Sequence, residues 1–225
     1  MQKIVIYGNG AMARVLFSYA KHSMQICGFT VDDHCIPDDI NSFCNLPLIP
    51  FSKVQDQFPP SIYKVIVAVG FREMNELREK KYEEAAEKGY SFARYIHESV
   101  IMHDDVHIAD NCIILDHVSI HPGCNIGRGV FISSNVNIGH DCVVEPNCWI
   151  NSGVSIAGGC HIGSGSFFGV NSSAGHGIRM GAQNFIAANT VITKNTNNHE
   201  VYLSEPGQLF RLSSKSFLKF SRIFD

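Results

Sequence analysis

The sequence predicts an α/β N-terminal Rossmann-like βαβ domain over residues 1–95, then an all-β left-handed parallel β-helix over 96–200, with a tail at 201–225. Three observations predict this. Lys3 to Tyr7 is a β-rich apolar run that meets the turn Gly8-Asn9-Gly10-Ala11-Met12-Ala13. Every sixth residue from Ile96 to Ile192 is apolar, seventeen in succession, in a chain that is 45% apolar. Chance would produce such a run about once in a million trials. Finally, thirteen of the fifteen positions lying three beyond these, from Asn111 to Asn195, are Gly, Asn or Asp; His117 and Gln183 are the exceptions.

In the first unit, the glycine turn opens a helix, and Gln25 to Val31 forms a second strand ending at Asp32-Asp33, which completes a βαβ unit. Val65 to Val69 reads as a third strand ending at Gly70. A charged helix from about Glu73 to Lys88 stops at Gly89, a residue suited to a helix C-terminus. In the GxGxxA run, glycine lets the backbone approach a phosphate at the positive end of the following helix. Asp32 and Asp33 could then take ribose hydroxyls, whereas the plain alternative is a tight structural turn. A full dinucleotide fold needs about 150 residues, so a mononucleotide suits this unit better than NAD.

The coil follows from its three columns. The apolar column points inward, and the position two before it is Val or Cys eleven times running, from Val100 to Cys160. Five of the eight cysteines, Cys112, Cys124, Cys142, Cys148 and Cys160, stand multiples of six apart and read as free, buried apolar residues. The Gly/Asn/Asp column holds the types that enter the left-handed αL region at least cost. Each repeat makes one short strand and one turn, and three repeats close one triangular coil.

Composition narrows the functions. A net charge of −3 and a pI near 6.4 give no basic field for nucleic acid. No stretch approaches the roughly 18 apolar residues of a membrane span, and Met1 runs into a strand without a leader, so a cytoplasmic location without stable membrane insertion is expected.

Of eleven histidines, His140 and His176 share one phase and lie six repeats apart. They therefore belong on one edge of the prism, two coils apart, at roughly 10 Å. Gly158 lies between them. This places a candidate general base beside a backbone N–H able to hold an oxyanion. Asp141 falls on the αL turn position; it is either a strain-relieving turn residue or the carboxylate that orients the imidazole.

With Lys3 to Ala13, Asp32-Asp33, Val69-Gly70, Tyr95-Ile96-His97-Glu98-Ser99 and above all Ile138-Gly139-His140-Asp141-Cys142, residues 1 to about 195 resemble the bacterial sugar acyltransferases of the sialic-acid O-acetyltransferase and bacillosamine N-acetyltransferase group. The resemblance implies a homotrimer with an N-terminal nucleotide-sugar domain. It makes His140 the general base, Asp141 its polarising partner and Gly158 the N–H for the thioester oxygen. The implied reaction is acyl transfer, with acetyl-CoA as co-substrate, to the amine of a nucleotide-linked amino sugar; O-acetylation of a sugar hydroxyl is the alternative. The pantetheine arm would lie along Gly158, His176 and Lys194 of one subunit and Val170 and Ala188 of the next. Gly8, Asn9, Gly10, Asp32, Asp33 and Gly70 would hold the sugar nucleotide.

The chain departs from the family pattern in three places. Several members carry Glu where this chain has Asp141. Some members have a second active-site histidine nine residues after the base, where this chain has Trp149, expected to stand near the acyl group or to cover a subunit interface. Ser204-Glu205-Pro206-Gly207 replaces the usual ending, and the resemblance says nothing of 208–225; trimer packing is the expectation there, a membrane-surface role the alternative. No metal is expected, since a zinc hydratase on this coil would need a third histidine where Gly181 stands.

Overall fold

A computed structural model describes residues 2–221; Met1 and the last four residues of the tail, 222–225, lie outside the described residues. The first unit is a five-stranded sheet in the order β3-β4-β2-β1-β5, formed by β1 (Lys3–Tyr7), β2 (Gln25–Val31), β3 (Ser42–Phe43), β4 (Leu46–Pro50) and β5 (Tyr63–Val67). β4, β2, β1 and β5 run parallel, while β3 turns back on β4 as a short antiparallel hairpin. Ile4, Val5, Ile6, Val65, Ile66 and Val67 are fully buried, the continuous apolar pattern of a parallel strand covered on both faces.

Helix α1 (Ala11–Ala20) buries Ala13, Leu16 and Ala20 on one side of the sheet. On the other side lie α2 (Val54–Gln57) and α3 (Glu76–Glu87). α3 ends as its glycine predicts, with Gly89 at φ +83° and its N–H bonded to the Ala86 carbonyl. The expected third strand and second helix are displaced, however. β5 stops at Val67, and α3 starts three residues late because Glu73, Met74 and Asn75 all hold positive φ. The β3–β4 hairpin has no counterpart in the sequence reading.

From Tyr95 onward the chain is the left-handed coil. Its two-residue strands stack in three parallel sheets, each strand pairing with the one three repeats on, as in Ile120 with Ile138 and Ile138 with Ile156. Every inward Ile from Ile114 to Ile162 is fully buried, worth about 1.5–3 kcal/mol each. The cysteines at 112, 124, 142, 148 and 160 are free and buried among them, and burial pushes the Cys112 and Cys148 thiols up to about 12. The αL column holds at both sequence exceptions: His117 has φ 58° and Gln183 φ 53°. The stacking interval shortens at the end of the coil, where Val201–Tyr202 pairs with Phe185–Ile186 two positions short of the regular spacing. Beyond it α4 (Ser214–Ser221) leaves Phe210, Phe217 and Phe220 exposed. Among the described residues no helix is long and apolar enough to cross a membrane.

The two units share one interface. On one face of the prism the outward residues are Ile113, Phe131, Trp149, Phe167 and Phe185, a ladder in which Trp149 stacks on Phe131 at 4.0 Å and Phe167 on Phe185 at 4.6 Å. Phe71 and Met74 of the first unit cover it. Polar ties flank the ladder at successive corners: Asn111 Oδ1 accepts the Val67 N–H at 2.8 Å, and the Asn147 carbonyl accepts Arg78 Nη2 at 2.6 Å. Asn75 Nδ2 donates to the Gly165 carbonyl at 3.0 Å, and Gln183 Nε2 to Glu76 at 2.9 Å. Burial drives the Arg78 pKa down to about 10, and its guanidinium lies 5.2 Å over the Trp149 ring.

Candidate functional site

The first cluster is a corner of the coil. The strand Asn137–Ile138 delivers Gly139 and His140 to the edge, and Asp141 turns the chain at φ 55°. Asp141 has geometry compatible with both expected roles. It is the αL residue, and the same turn sets its Oδ2 2.8 Å from His140 Nδ1. That contact leaves Nε2 as the free ring nitrogen, in the acceptor form when the proton sits on Nδ1.

Nε2 lies over Gly158. A Cβ at that glycine would collide with the imidazole, so the stacked layer must be glycine for the ring to lie there. The Gly158 N–H meets no acceptor among the described residues. The His140 and His176 rings approach to 6.2 Å between centroids, nearer than the roughly 10 Å of two layers, because the intervening residue has no side chain. His140, Asp141, His176 and Lys194 are exposed. Val170 and Ala188, also exposed, stand on a different edge of the prism, after the strands Phe167–Phe168 and Phe185–Ile186. One chain therefore does not bring the two expected halves of the acyl-CoA groove together.

The second cluster is a cavity of about 400 Å³ at the C-terminal ends of β1, β2 and β5, lined by Tyr7, Gly8 to Met12, Asp32, Cys35, Ala68 to Gly70, Arg72 and Lys81, among others. Gly8, at φ +136°, packs so closely on the Ala68 carbonyl that any side chain would clash. Gly10 caps α1 with no side-chain hydrogen bond and no acidic residue in the first turn, leaving the helix N-terminus free to face an anion. Asn9 lines the cavity while its Nδ2 holds the Cys35 carbonyl at 3.0 Å.

The two aspartates part company. Asp32 lies at the cavity, where it accepts the Tyr7 hydroxyl at 2.6 Å and Lys81 Nζ at 2.8 Å. Burial works against its charge, but the Lys81 and Tyr7 bonds hold its carboxyl below the ordinary value. Asp33 does not face the cavity, a correction to the expectation; it is spent on Ser52, accepting the hydroxyl at 2.5 Å and the N–H at 3.1 Å. Reading the sequence also missed Tyr7, Arg72 and Lys81, for which only their later neighbourhood gives a signal.

Trp149 needs a second correction. It is 6% exposed, lies under its own N-terminal unit and belongs to a face remote from the His140 edge. It neither covers a subunit interface nor stands beside the base of its own chain. Instead its ring lines an apolar annex of about 390 Å³ with Ala11, Met12, Val15, Gly70, Phe71 and Arg72, four of which also line the first cavity.

Comparison with known proteins agrees with this architecture. Residues 3–85 match the family model of the PglD N-terminal domain. A mutant of perosamine N-acetyltransferase from Caulobacter crescentus, in complex with CoA and GDP-perosamine, superposes with a TM-score of 0.80 at 21% identity, over 89% of this chain and 93% of the other. The acetyltransferase domain of PglB from Neisseria gonorrhoeae, in complex with acetyl coenzyme A, gives 0.76 at 20% identity over 88% and 96%. WeeI from Acinetobacter baumannii gives 0.78 at 16% over 93% and 100%. The chain thus joins a first unit that matches the PglD N-terminal domain model to a left-handed hexapeptide-repeat β-helix, and it shares this fold with the three solved structures.

Proposed function

We propose that the chain is an acetyl-CoA-dependent N-acyltransferase acting on a nucleotide-linked amino sugar. The observation that carries this reading is the His140 corner: an imidazole fixed through Nδ1 by Asp141, its Nε2 lying over a glycine whose N–H is unpaired among the described residues. A neutral sugar amine attacks the thioester carbonyl. His140 Nε2 accepts a proton from the attacking nitrogen, Asp141 stabilises the imidazolium, and the Gly158 N–H bonds the tetrahedral oxyanion. Collapse of that intermediate breaks the C–S bond, and the proton held on His140 passes to the departing thiolate. No covalent enzyme intermediate is needed.

The cavity at the Gly8–Gly10 turn is the site for the nucleotide, with Asp32 and Gly70 among its lining residues. CoA and GDP-perosamine, the ligands named for the Caulobacter relative, belong to the two classes that these places would hold. Since Val170 and Ala188 stand on another edge than His140, His176 and Lys194, the acyl-CoA groove is completed by a second subunit, and a homotrimer is the assembly that closes it.

Incubation with acetyl-CoA and a panel of UDP-, dTDP- and GDP-linked amino sugars tests the reaction, through thiol release and a product heavier by one acetyl group. An acetylated hydroxyl in place of the amine would transfer the assignment to O-acylation. A monomer by light scattering that is active at nanomolar concentration would overturn the shared groove.

A further inference from the structure

We infer that Arg72 is the residue that recognises the phosphates of the sugar nucleotide, an assignment that rests on the nucleotide reading of the cavity. Three charged side chains line that cavity: Asp32, Arg72 and Lys81. Two of them neutralise each other, because Lys81 Nζ sits 2.8 Å from Asp32 and 2.7 Å from Glu84. Arg72 has no carboxylate or hydrogen-bond partner among the described residues and is exposed. A nucleoside diphosphate group brings about two negative charges. The N–H groups at the start of α1 and the helix dipole meet only part of that, at roughly half an elementary charge. Arg72 supplies the remaining cation and can grip two oxygens at once.

The backbone explains why Arg72 is held there. Glu73, Met74 and Asn75, the three residues after it, sit at φ 52°, 49° and 72°. Each non-glycine residue in that region costs on the order of 1 kcal/mol, so the segment needs outside support. Asn75 provides it through the Gly165 carbonyl, and Phe71, on the other side of Arg72, packs at 4.5 Å from Phe167 and 5.4 Å from Trp149. The loop is therefore pinned to the coil at both ends. Arg72 stands between the pins, at the junction of the nucleotide cavity and the apolar annex, both of which it lines. That junction is where a diphosphate linking a nucleoside to a sugar would lie.

Calorimetry separates this assignment from the reading beneath it. Wild-type protein is titrated with UDP, dTDP and GDP and with the matching nucleosides. Arg72→Ala should raise the Kd of the bound diphosphate by about 10- to 100-fold, the usual weight of a charge-assisted pair. Arg72→Lys should fall between the two, while nucleoside binding, the KM for acetyl-CoA and the melting temperature should stay unchanged. If wild type binds a diphosphate and Arg72→Ala binds it within twofold, the Arg72 assignment is wrong and the nucleotide reading survives. Equal losses for nucleoside and diphosphate would likewise overturn a phosphate role. If no diphosphate binds to wild type, the nucleotide reading falls, and the assignment with it.

Discussion

The coil and the N-terminal unit reach stability by opposite routes. In the coil each layer repeats the previous one, strand partners recur at an interval of three repeats until the last strand, and the interior is a continuous column dominated by Ile, Val and Cys. From Asn111 to Asn189 each corner asks the same thing of its residue, a positive φ, and the rule lapses at Asn195. The N-terminal unit holds its cavity together with bonds that occur once, such as Tyr7 to Asp32 and Asp32 to Lys81, and it is tied to the coil by others, such as Arg78 to the Asn147 carbonyl. Repetition leaves outward positions free to change, so chemistry appears wherever an outward phase departs from its neighbours. A one-off network ties chemistry and stability to the same side chains.

The sharpest separation is expected at His140. Its side chain is 58% exposed and outside the packed column, so His140→Asn should lower kcat by roughly 10²- to 10⁴-fold with the melting temperature unmoved. A wild-type rate in that variant would make the corner a mere surface turn. Gly158→Ala tests the same corner from below, since its N–H remains while the new methyl displaces the imidazole. A loss of about 10- to 100-fold is expected, smaller than deletion of the base.

Trp149 belongs to the coil in sequence but to the interface in space. Truncation to Ala should therefore destabilise the folded chain by about 3–5 kcal/mol, as for other buried aromatics, measured by denaturant unfolding. A loss under about 1 kcal/mol would mean that the first unit does not rest on the ladder.

Lys81→Met probes the other style of construction. It leaves Asp32 and Glu84 without their cation and should cost about 1–3 kcal/mol at neutral pH, less than a fully buried pair because the carboxylates are partly open to water. Because the folded Asp32 pKa lies below its ordinary 3.8, the stabilisation is present above 3.8 and is lost as pH falls through the folded value. The folded Lys81 pKa lies above 10.5, a shift that burial opposes and the two carboxylates produce, so its share is lost only as pH rises beyond that. Wild type and variant should therefore converge in stability in acid, and a gap that persists well below pH 3.8 would contradict the ion-pair account.

The same contrast decides what could be read from the sequence. The coil was legible because its rule is stated many times over, and two wrong residues in the turn column, His117 and Gln183, could not hide it. Its faces were harder to tell apart. The outward residues differ only at every third repeat: Ile113, Phe131, Trp149, Phe167 and Phe185 on one face, against Ser119, Asn137, Ser155 and Ser173 on the next. The aromatic face is distinct only at the period of the whole coil, eighteen residues, and Trp149 belongs to it by that period. In the first unit, β1, β2 and the glycine turn were legible from local pattern. The β3–β4 hairpin was not, because its strands are two and five residues long, with Pro47 and Pro50 in the second. Asp32 and Asp33 are adjacent and chemically alike, and only Lys81 and Ser52, far along the chain, send them to different tasks.

The smallest expected effects come from two residues that share a backbone conformation and differ in surroundings. His117 has φ 58°, at an exposed corner of the coil, and Met74 has φ 49°, in the loop between the units. Asn tolerates the αL region better than either residue. At His117 the backbone N–H bond to Ser99 Oγ, 2.9 Å, survives substitution, and the ring loses two contacts, 3.2 Å to the same oxygen and 4.0 Å to the Asp116 carboxylate, both weak because the ring is exposed. His117→Asn should therefore stabilise the chain by about 0.5 kcal/mol, raising the melting temperature by about 1–2 °C. Met74→Asn gains the same backbone relief but removes an apolar side chain packed against the aromatic ladder, a loss of about 1–2 kcal/mol for partial burial. Packing outweighs conformation there, and the melting temperature should fall. Opposite signs at matched dihedral angles would locate the difference in tertiary support. If both variants move the same way, the loop is governed by the local turn rule that governs the coil.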